Sequence, residues 1–201
     1  MLPKPTDRKF KKKVFEDLIN TGQFIYQIGE SEILRKPSKR VPAKSITTPE
    51  FKSKVSYAKS CLRKYRKLTG MGRGIAAPQV GIAERFFVIW VNDKPEIFIN
   101  PNITKESNEK YLYPEVCMSA APLLAPVVRP AWIEFEYLNE KGEKKIWNTK
   151  DDTKSGRMLN RVFEHEIDHL EGIINIDRVS PKELIFDLDP AKKKLSKFKK
   201  V

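Results

Sequence analysis

Apolar residues along this chain recur with two different periods, and the switches between them mark the elements. Phe10, Val14, Phe15, Leu18 and Ile19 return at helical spacing and Gly22 suits a stop, which predicts a short N-terminal helix. A longer helix is predicted where Thr48 can cap, Pro49 fits the first turn, and Phe51, Val55, Ala58, Leu62, Tyr65 and Leu68 form one stripe ending at Gly70. A glycine-rich loop, Gly70 to Gly74, follows. Arg85–Val91 and Glu96–Asn100 are then short apolar runs around Asn92-Asp93-Lys94-Pro95, a hairpin signature. Ile133, Phe135 and Tyr137 alternate with Glu134 and Glu136, and the turn Asn139–Gly142 joins that strand to Glu143–Thr149 as a second hairpin. From 156 to 171 the period returns to 3.6 through Met158, Leu159, Val162, Phe163, Ile167 and Leu170, with Gly172 as the stop. Ser180-Pro181-Lys182-Glu183 reads as a capping box opening a last helix, interrupted at Pro190.

Hairpins flanked by helices predict an α+β fold of antiparallel sheets packed around the helix at 156–171. Residues 1–29 read as an N-terminal extension, 30–180 as the main domain, and 181–201 as a C-terminal helix and tail. A chain of 201 residues buries enough surface to fold without disulfide or metal. The longest apolar run, Phe86–Val91, falls far short of the ~20 residues of a membrane span, so no membrane partner is expected. The start of the chain has no apolar core, so no secretory signal is expected, and two cysteines, Cys61 and Cys117, point to a reducing compartment.

Charge changes the picture at the two ends. Residues 1–13 carry a net +5 and residues 192–201 a net +6, which leaves +2 of the total +13 for everything between. The tails read equally as nucleic-acid contacts without sequence preference and as aids to solubility. Acidic residues Asp7, Glu16 and Asp17 spoil a transit-peptide composition, so the expected location is the cytoplasm, with an organellar address left open.

Candidate chemistry lies in the helix at 156–171. His165-Glu166-Ile167-Asp168-His169 sets the chain's two histidines four apart, one above the other, where both imidazoles can reach one metal ion. Glu166 can address a water at that ion. A third ligand must come from elsewhere: Asn175 is a weak one, Glu183 is conceivable, and Cys117 in the irregular segment Pro114–Ser119 offers a thiolate. Cys61, beside the stripe of the long helix, reads as a small buried hydrophobe.

Three motifs now stand in order: Gly72-Arg73-Gly74-Ile75-Ala76-Ala77-Pro78-Gln79, Glu115-Val116-Cys117-Met118-Ser119, and His165-Glu166-Ile167-Asp168-His169. Over about residues 30 to 180 the chain resembles the peptide deformylases, whose motifs are G-x-G-x-A-A-x-Q, E-G-C-x-S and H-E-x-D-H. Ile33-Leu34-Arg35 before a proline resembles that family's opening. The resemblance implies a hydrolase that removes the formyl group of formyl-methionine from nascent polypeptides, releasing formate. It implies Cys117, His165 and His169 as ligands of Fe²⁺, with Zn²⁺, Ni²⁺ or Co²⁺ able to substitute. It implies Glu166 as the general base, and Gln79 with the Met118 amide as oxyanion donors. Gly72, Arg73, Gly74, Glu115, Val116, Met158, Arg161 and Val162 are implied to meet the substrate. Some family members end in a basic helix that docks on the ribosome, which would give Lys192–Lys200 the same role.

The chain departs from the motifs at Val116 (for glycine), Glu164 (for glutamine), Arg73 and Arg161 (for apolar residues). Glycines 72 and 74 would let a substrate backbone approach. Asp168, turned away from Glu166, is expected to be structural and paired with Arg129. Two other readings stay open: an H-E-x-x-H peptidase with a different third ligand, and a deformylase-like protein that binds without turnover.

Overall fold

The computed structural model describes residues 16–91, 93–186 and 197–201. Residues 16–22 are helical; Phe10, Val14 and Phe15 and the first basic cluster lie outside the described residues. The long helix, α1, spans Pro49–Thr69, with the Thr48 hydroxyl accepting the Phe51 N–H and Gly70 closing it in the left-handed region. Among the described residues nine strands follow, in two antiparallel sheets. The first sheet has the order β1 (Gly74–Ala76), β2 (Phe86–Val91), β3 (Lys94–Glu106), β6 (Ile133–Leu138), β7 (Lys144–Trp147). The second has the order β8 (Ile185–Phe186), β5 (Leu123–Pro130), β4 (Lys110–Val116), β9 (Lys199–Lys200). Helix α2, Lys154–Leu170, lies against the first sheet and carries the histidines toward the second.

The continuous apolar run in β2 has a reason. Phe86 and Val88 pack with Phe51, Val55, Ala58 and Leu62 of α1, while Phe87 and Ile89 pack with Phe163 and Ile167 of α2. Both faces of the strand are therefore buried, and alternation is lost. On the α2 side Phe98, Phe135, Trp147 and Phe163 form an aromatic cluster, with Phe163 centred 5.0 Å from Phe98 and 4.6 Å from Trp147. Cys61 is buried in the α1 core, as a small hydrophobe would be.

Several elements differ from the sequence expectation. The hairpin turn is shorter, because Lys94 and Pro95 already pair with Val91 and Trp90. Strands β4 and β5, which their mixed composition concealed, form the second sheet; β4 runs to Val116, so Cys117 follows a strand end and not an irregular stretch. The capping box at Ser180 forms, but it closes only the short turn Pro181–Glu183. Ile185 and Phe186 then pair with Leu124 and Leu123 instead of continuing a helix, because the open edge of β5 offers the backbone a partner. Lys199 and Lys200 are strand, not helix, and pair with Leu112 and Tyr111. Residues 192–196 of the basic tail, and Pro190, lie outside the described residues. At the other end Ile25 is fully buried, and the backbone N–H groups of Tyr26 and Ile28 donate to the carbonyls of Gln79 and Ser119. The border expected at residue 29 thus coincides with no break in packing.

Candidate metal centre and peptide cavity

The end of β4, the loop after β1 and the buried face of α2 converge on one point. The ligand atoms of Cys117, His165 and His169 all lie within 4.8 Å of one another. Cys117 Sγ is 3.1 Å from His169 Nε2 and accepts the Ser119 N–H at 3.4 Å. The Nδ1 of His165 is engaged by Glu115 Oε2 at 3.0 Å, which fixes the ring and leaves Nε2 for the site. A thiolate and two imidazoles, one of them oriented by a carboxylate, form a donor set suited to a divalent transition metal. Neither Asn175 nor Glu183 joins it: the Asn175 amide donates to the Glu115 carbonyl and Glu183 caps its own turn.

Beside this cluster Glu166 is almost fully buried, and among the described residues its Oε2 has no hydrogen-bond partner. Burial pushes its carboxyl up to about 7. Gln79, also buried, accepts the Ala76 N–H with Oε1 at 2.9 Å, and its Nε2 donates to Ser119 Oγ at 3.1 Å while lying 3.7 Å from Cys117 Sγ. The first motif thus fixes its glutamine by a hydrogen bond to its own strand.

Glycines 72 and 74 have a reason beyond substrate approach. A Cβ at Gly74 would lie 2.8 Å from the carboxyl carbon of Glu166. A Cβ at Gly72, whose φ is +95°, would lie 2.8 Å from both Met118 Cε and Tyr65 Cδ1. The space the sequence reading gave to a substrate is partly occupied by the protein's own side chains.

A cavity of about 260 Å³ opens next to Glu166 and His165. Gly72, Arg73 and Gly74 wall it on one side, Glu115, Val116 and Met118 on another, and Met158, Arg161 and Val162 of α2 on a third. Tyr65, Met71, Tyr113 and Pro114 also line it; nothing in the local pattern of Tyr65, Met71 and Pro114 distinguishes them from packing residues. Tyr113 lies two residues before Glu115 in β4, and so on the same face of the strand.

Each departure from the motifs now has a setting. Val116 is extended strand and needs no left-handed backbone, so a β-branched residue is unstrained there. Arg161 is buried, donating to Glu115 Oε1 at 2.6 Å and to the carbonyls of Val127 and Tyr111. Glu164 is buried beside Arg129 and accepts from Asn160 at 2.8 Å, and burial pushes its carboxyl up to about 8. Arg73 is exposed at the cavity wall and makes no ion pair among the described residues.

Beneath the site lies a buried ion network. Arg129 of β5 makes a two-point contact with Glu115, at 2.6 and 3.0 Å, and reaches Asp168 at 2.9 Å. Asp168 also holds Arg178 from the segment after α2. The expected Asp168–Arg129 pair exists and has a second cation. Although burial opposes ionisation of Glu115, the guanidinium of Arg129 and the hydrogen bond from His165 hold its carboxyl well below the usual range.

A helix-borne pair of histidines and a strand-end cysteine, with a buried glutamate beside a cavity, make the donor arrangement of a Cys-His-His metal site. The family model for polypeptide deformylase matches residues 23–184. A peptide deformylase of Prochlorococcus marinus (strain MIT 9515) is 34% identical over 180 residues, which cover 87% of this chain and 80% of that one. One from Treponema pallidum (strain Nichols) is 39% identical over 119 residues, 59% of this chain and 70% of that one. Among solved structures, the peptide deformylase of Thermotoga maritima aligns with a TM-score of 0.66 at 33% identity, over 78% of this chain and 97% of its own. A plant peptide deformylase aligns with a TM-score of 0.67 at 27% identity, over 86% of each chain. The chain belongs to the polypeptide deformylase family, and its activity is that of a deformylase acting on formylated nascent peptides.

Proposed function

We propose that Cys117, His165 and His169 hold Fe²⁺, or Zn²⁺, Ni²⁺ or Co²⁺ in its place, and that the cavity beside them receives the methionine of a formyl-methionyl peptide. The observation that carries this reading is the juxtaposition of the three ligand atoms, within 4.8 Å of one another, with the buried Glu166, whose Oε2 has no partner among the described residues. A divalent ion in that position acts as a Lewis acid and lowers the pKa of a water. The remaining work falls to the chain's own groups. Glu166 takes the proton of the attacking water and returns it to the leaving amine as the C–N bond breaks, so that formate and a free N-terminus result. The amide of Gln79 and the N–H of Met118 donate to the oxyanion that develops on the formyl oxygen. Glu115 keeps His165 in one tautomer and orientation.

The methionine side chain would lie against Met158, Val162 and the aliphatic part of Arg161. The backbone of the peptide would run between Gly72–Gly74 and Glu115–Val116, with Arg73 beside the residue that follows. Residues 30–180 would form the catalytic domain, with the chain after 180 completing the second sheet. A cytoplasmic setting fits the two unpaired cysteines and the need to meet nascent chains, and no helix among the described residues is long and apolar enough to cross a membrane. The basic ends would place the enzyme near ribosomal RNA.

The decisive experiment measures formate released from a formyl-Met tripeptide by iron-loaded protein prepared without oxygen. Turnover that fails when Cys117 is changed to alanine, together with loss of bound metal, supports the reading; metal retained by that variant would point to another third ligand.

A further inference from the structure

The second sheet carries β4 with one edge fully used and the other shared. Against β5 it pairs along its whole length, from Lys110↔Pro130 to Val116↔Leu124. On the opposite edge β9 covers only its first part, pairing Tyr111 with Lys200 and Leu112 with Lys199, while the Val201 N–H donates to the Lys110 carbonyl at 3.0 Å. Continuing that register brings Phe198 opposite Tyr113, and their ring centroids are 4.6 Å apart. Lys200 closes the contact with an ion pair to Glu109, and the guanidinium of Arg161 lies 5.7 Å from the Phe198 ring. Backbone, ring and charge all anchor this short strand.

Beyond it, Pro114–Val116 has no partner on that edge among the described residues, and these three residues line the cavity with Tyr113. Across the cavity stands β1, the edge strand of the first sheet. A peptide entering between two open edges is held as an added strand. Laid antiparallel to β4, its formyl end falls beside Cys117 and its chain runs toward Tyr113. Strand β9 runs in the same direction on the same edge, so the peptide would meet it head-on at Lys197 and Phe198. Three residues of strand measure about 10 Å at roughly 3.3 Å each.

We propose that β9 is the downstream wall of the peptide site: it confines backbone pairing to formyl-methionine and the two or three residues after it, and Phe198 marks the place where a longer chain must leave the β4 edge. This rests on the deformylase reading and adds to it a subsite limit set by the chain's own C-terminal residues.

The test is a backbone N-methyl scan of formyl-Met hexapeptides with the metal-loaded full chain, following formate release. N-methylation at the second or third residue is expected to lower kcat/KM at least tenfold at whichever amide faces the protein, and at the fifth and sixth to leave it within twofold. A variant lacking residues 197–201 is expected to gain about threefold or more on lengthening the substrate from three to six residues, the effect of one added backbone hydrogen bond, where the full chain gains nothing. Sensitivity at the fifth or sixth residue of the full chain would overturn the wall while leaving the deformylase reading intact, and the scan needs no variant to fold. Absence of formate release from every peptide would overturn the deformylase reading and this inference with it.

Discussion

Glu166 illustrates how neighbours can fit one side chain to the task proposed for it. Gly74 leaves room for its carboxylate, burial raises its affinity for a proton, and one oxygen is left without a partner beside the cysteine and histidines. Glu166→Gln preserves this shape but cannot accept a proton. The variant is expected to bind metal as the parent does, measured by elemental analysis, and to lose about 10²–10⁴ in kcat. Cys117→Ser should do the reverse in the first respect, since a hydroxyl is a much poorer ligand than a thiolate and metal content should fall with activity. Normal metal in both variants with normal turnover would refute the assigned roles. Arg161 teaches a different lesson. An arginine in the pocket proposed for methionine looks like a defect in the sequence, yet its guanidinium is engaged by Glu115 and two carbonyls.

At the scale of elements, the site exists because α2 is locked to the second sheet. Arg129 on β5 binds Glu115 on β4 and Asp168 on α2, and Asp168 in turn binds Arg178 in the segment that leads to β8. Removing one member of such a buried group leaves an uncompensated charge. Asp168→Asn should therefore cost about 3–5 kcal/mol of stability, seen as a lower melting temperature. Its effect on kcat per folded molecule should be smaller, since Asp168 faces the arginines and not the cavity. Unchanged melting with abolished turnover would instead make Asp168 part of the chemistry. The same network explains why β4 does not read as a strand in the sequence. In β4 the sequence Lys-Tyr-Leu-Tyr-Pro-Glu-Val carries a proline and a buried charge, both unusual in a strand, and Arg129 across the sheet with Arg161 and His165 of α2 makes that charge tolerable.

For the molecule as a whole, a ligand that binds only the folded state stabilises it by mass action. Removing metal with a chelator under reducing conditions should lower the melting temperature, and readdition of Fe²⁺ or Zn²⁺ should restore it; a melting temperature indifferent to both would argue against a metal held by Cys117, His165 and His169. The basic tail gives a prediction on the same scale. Because β9 belongs to the fold, deleting the whole tail would confuse docking with stability, whereas Lys192, Lys193 and Lys194 changed together to glutamine would remove charge alone. That triple variant is expected to co-sediment less with ribosomes at low salt, to differ little from the parent at high salt, and to keep its activity on a formyl-Met tripeptide. Equal co-sedimentation at low salt would leave the lysines to solubility.

Whatever depends on short-range spacing was legible in the chain. The stripe from Phe51 to Tyr65 with its Thr48 cap is α1, the four-residue interval between His165 and His169 puts both rings on one side of α2, and the three motifs pointed to the family. Tertiary structure alone decided the rest, because it concerns partners distant along the chain. Cys117 stood among rival third ligands until β4 brought it within reach of a helix some fifty residues later. Arg161 and Val116 depart from the motifs, and only the buried partner of the one and the extended backbone of the other show how the fold accommodates them. Lys199 and Lys200 carried the composition of a solvated helix, and pair as a strand because β4 left an edge open beside them. Local sequence fixes the period of a segment and the chemistry it can offer; which edge or charge it meets is settled only when the whole core closes.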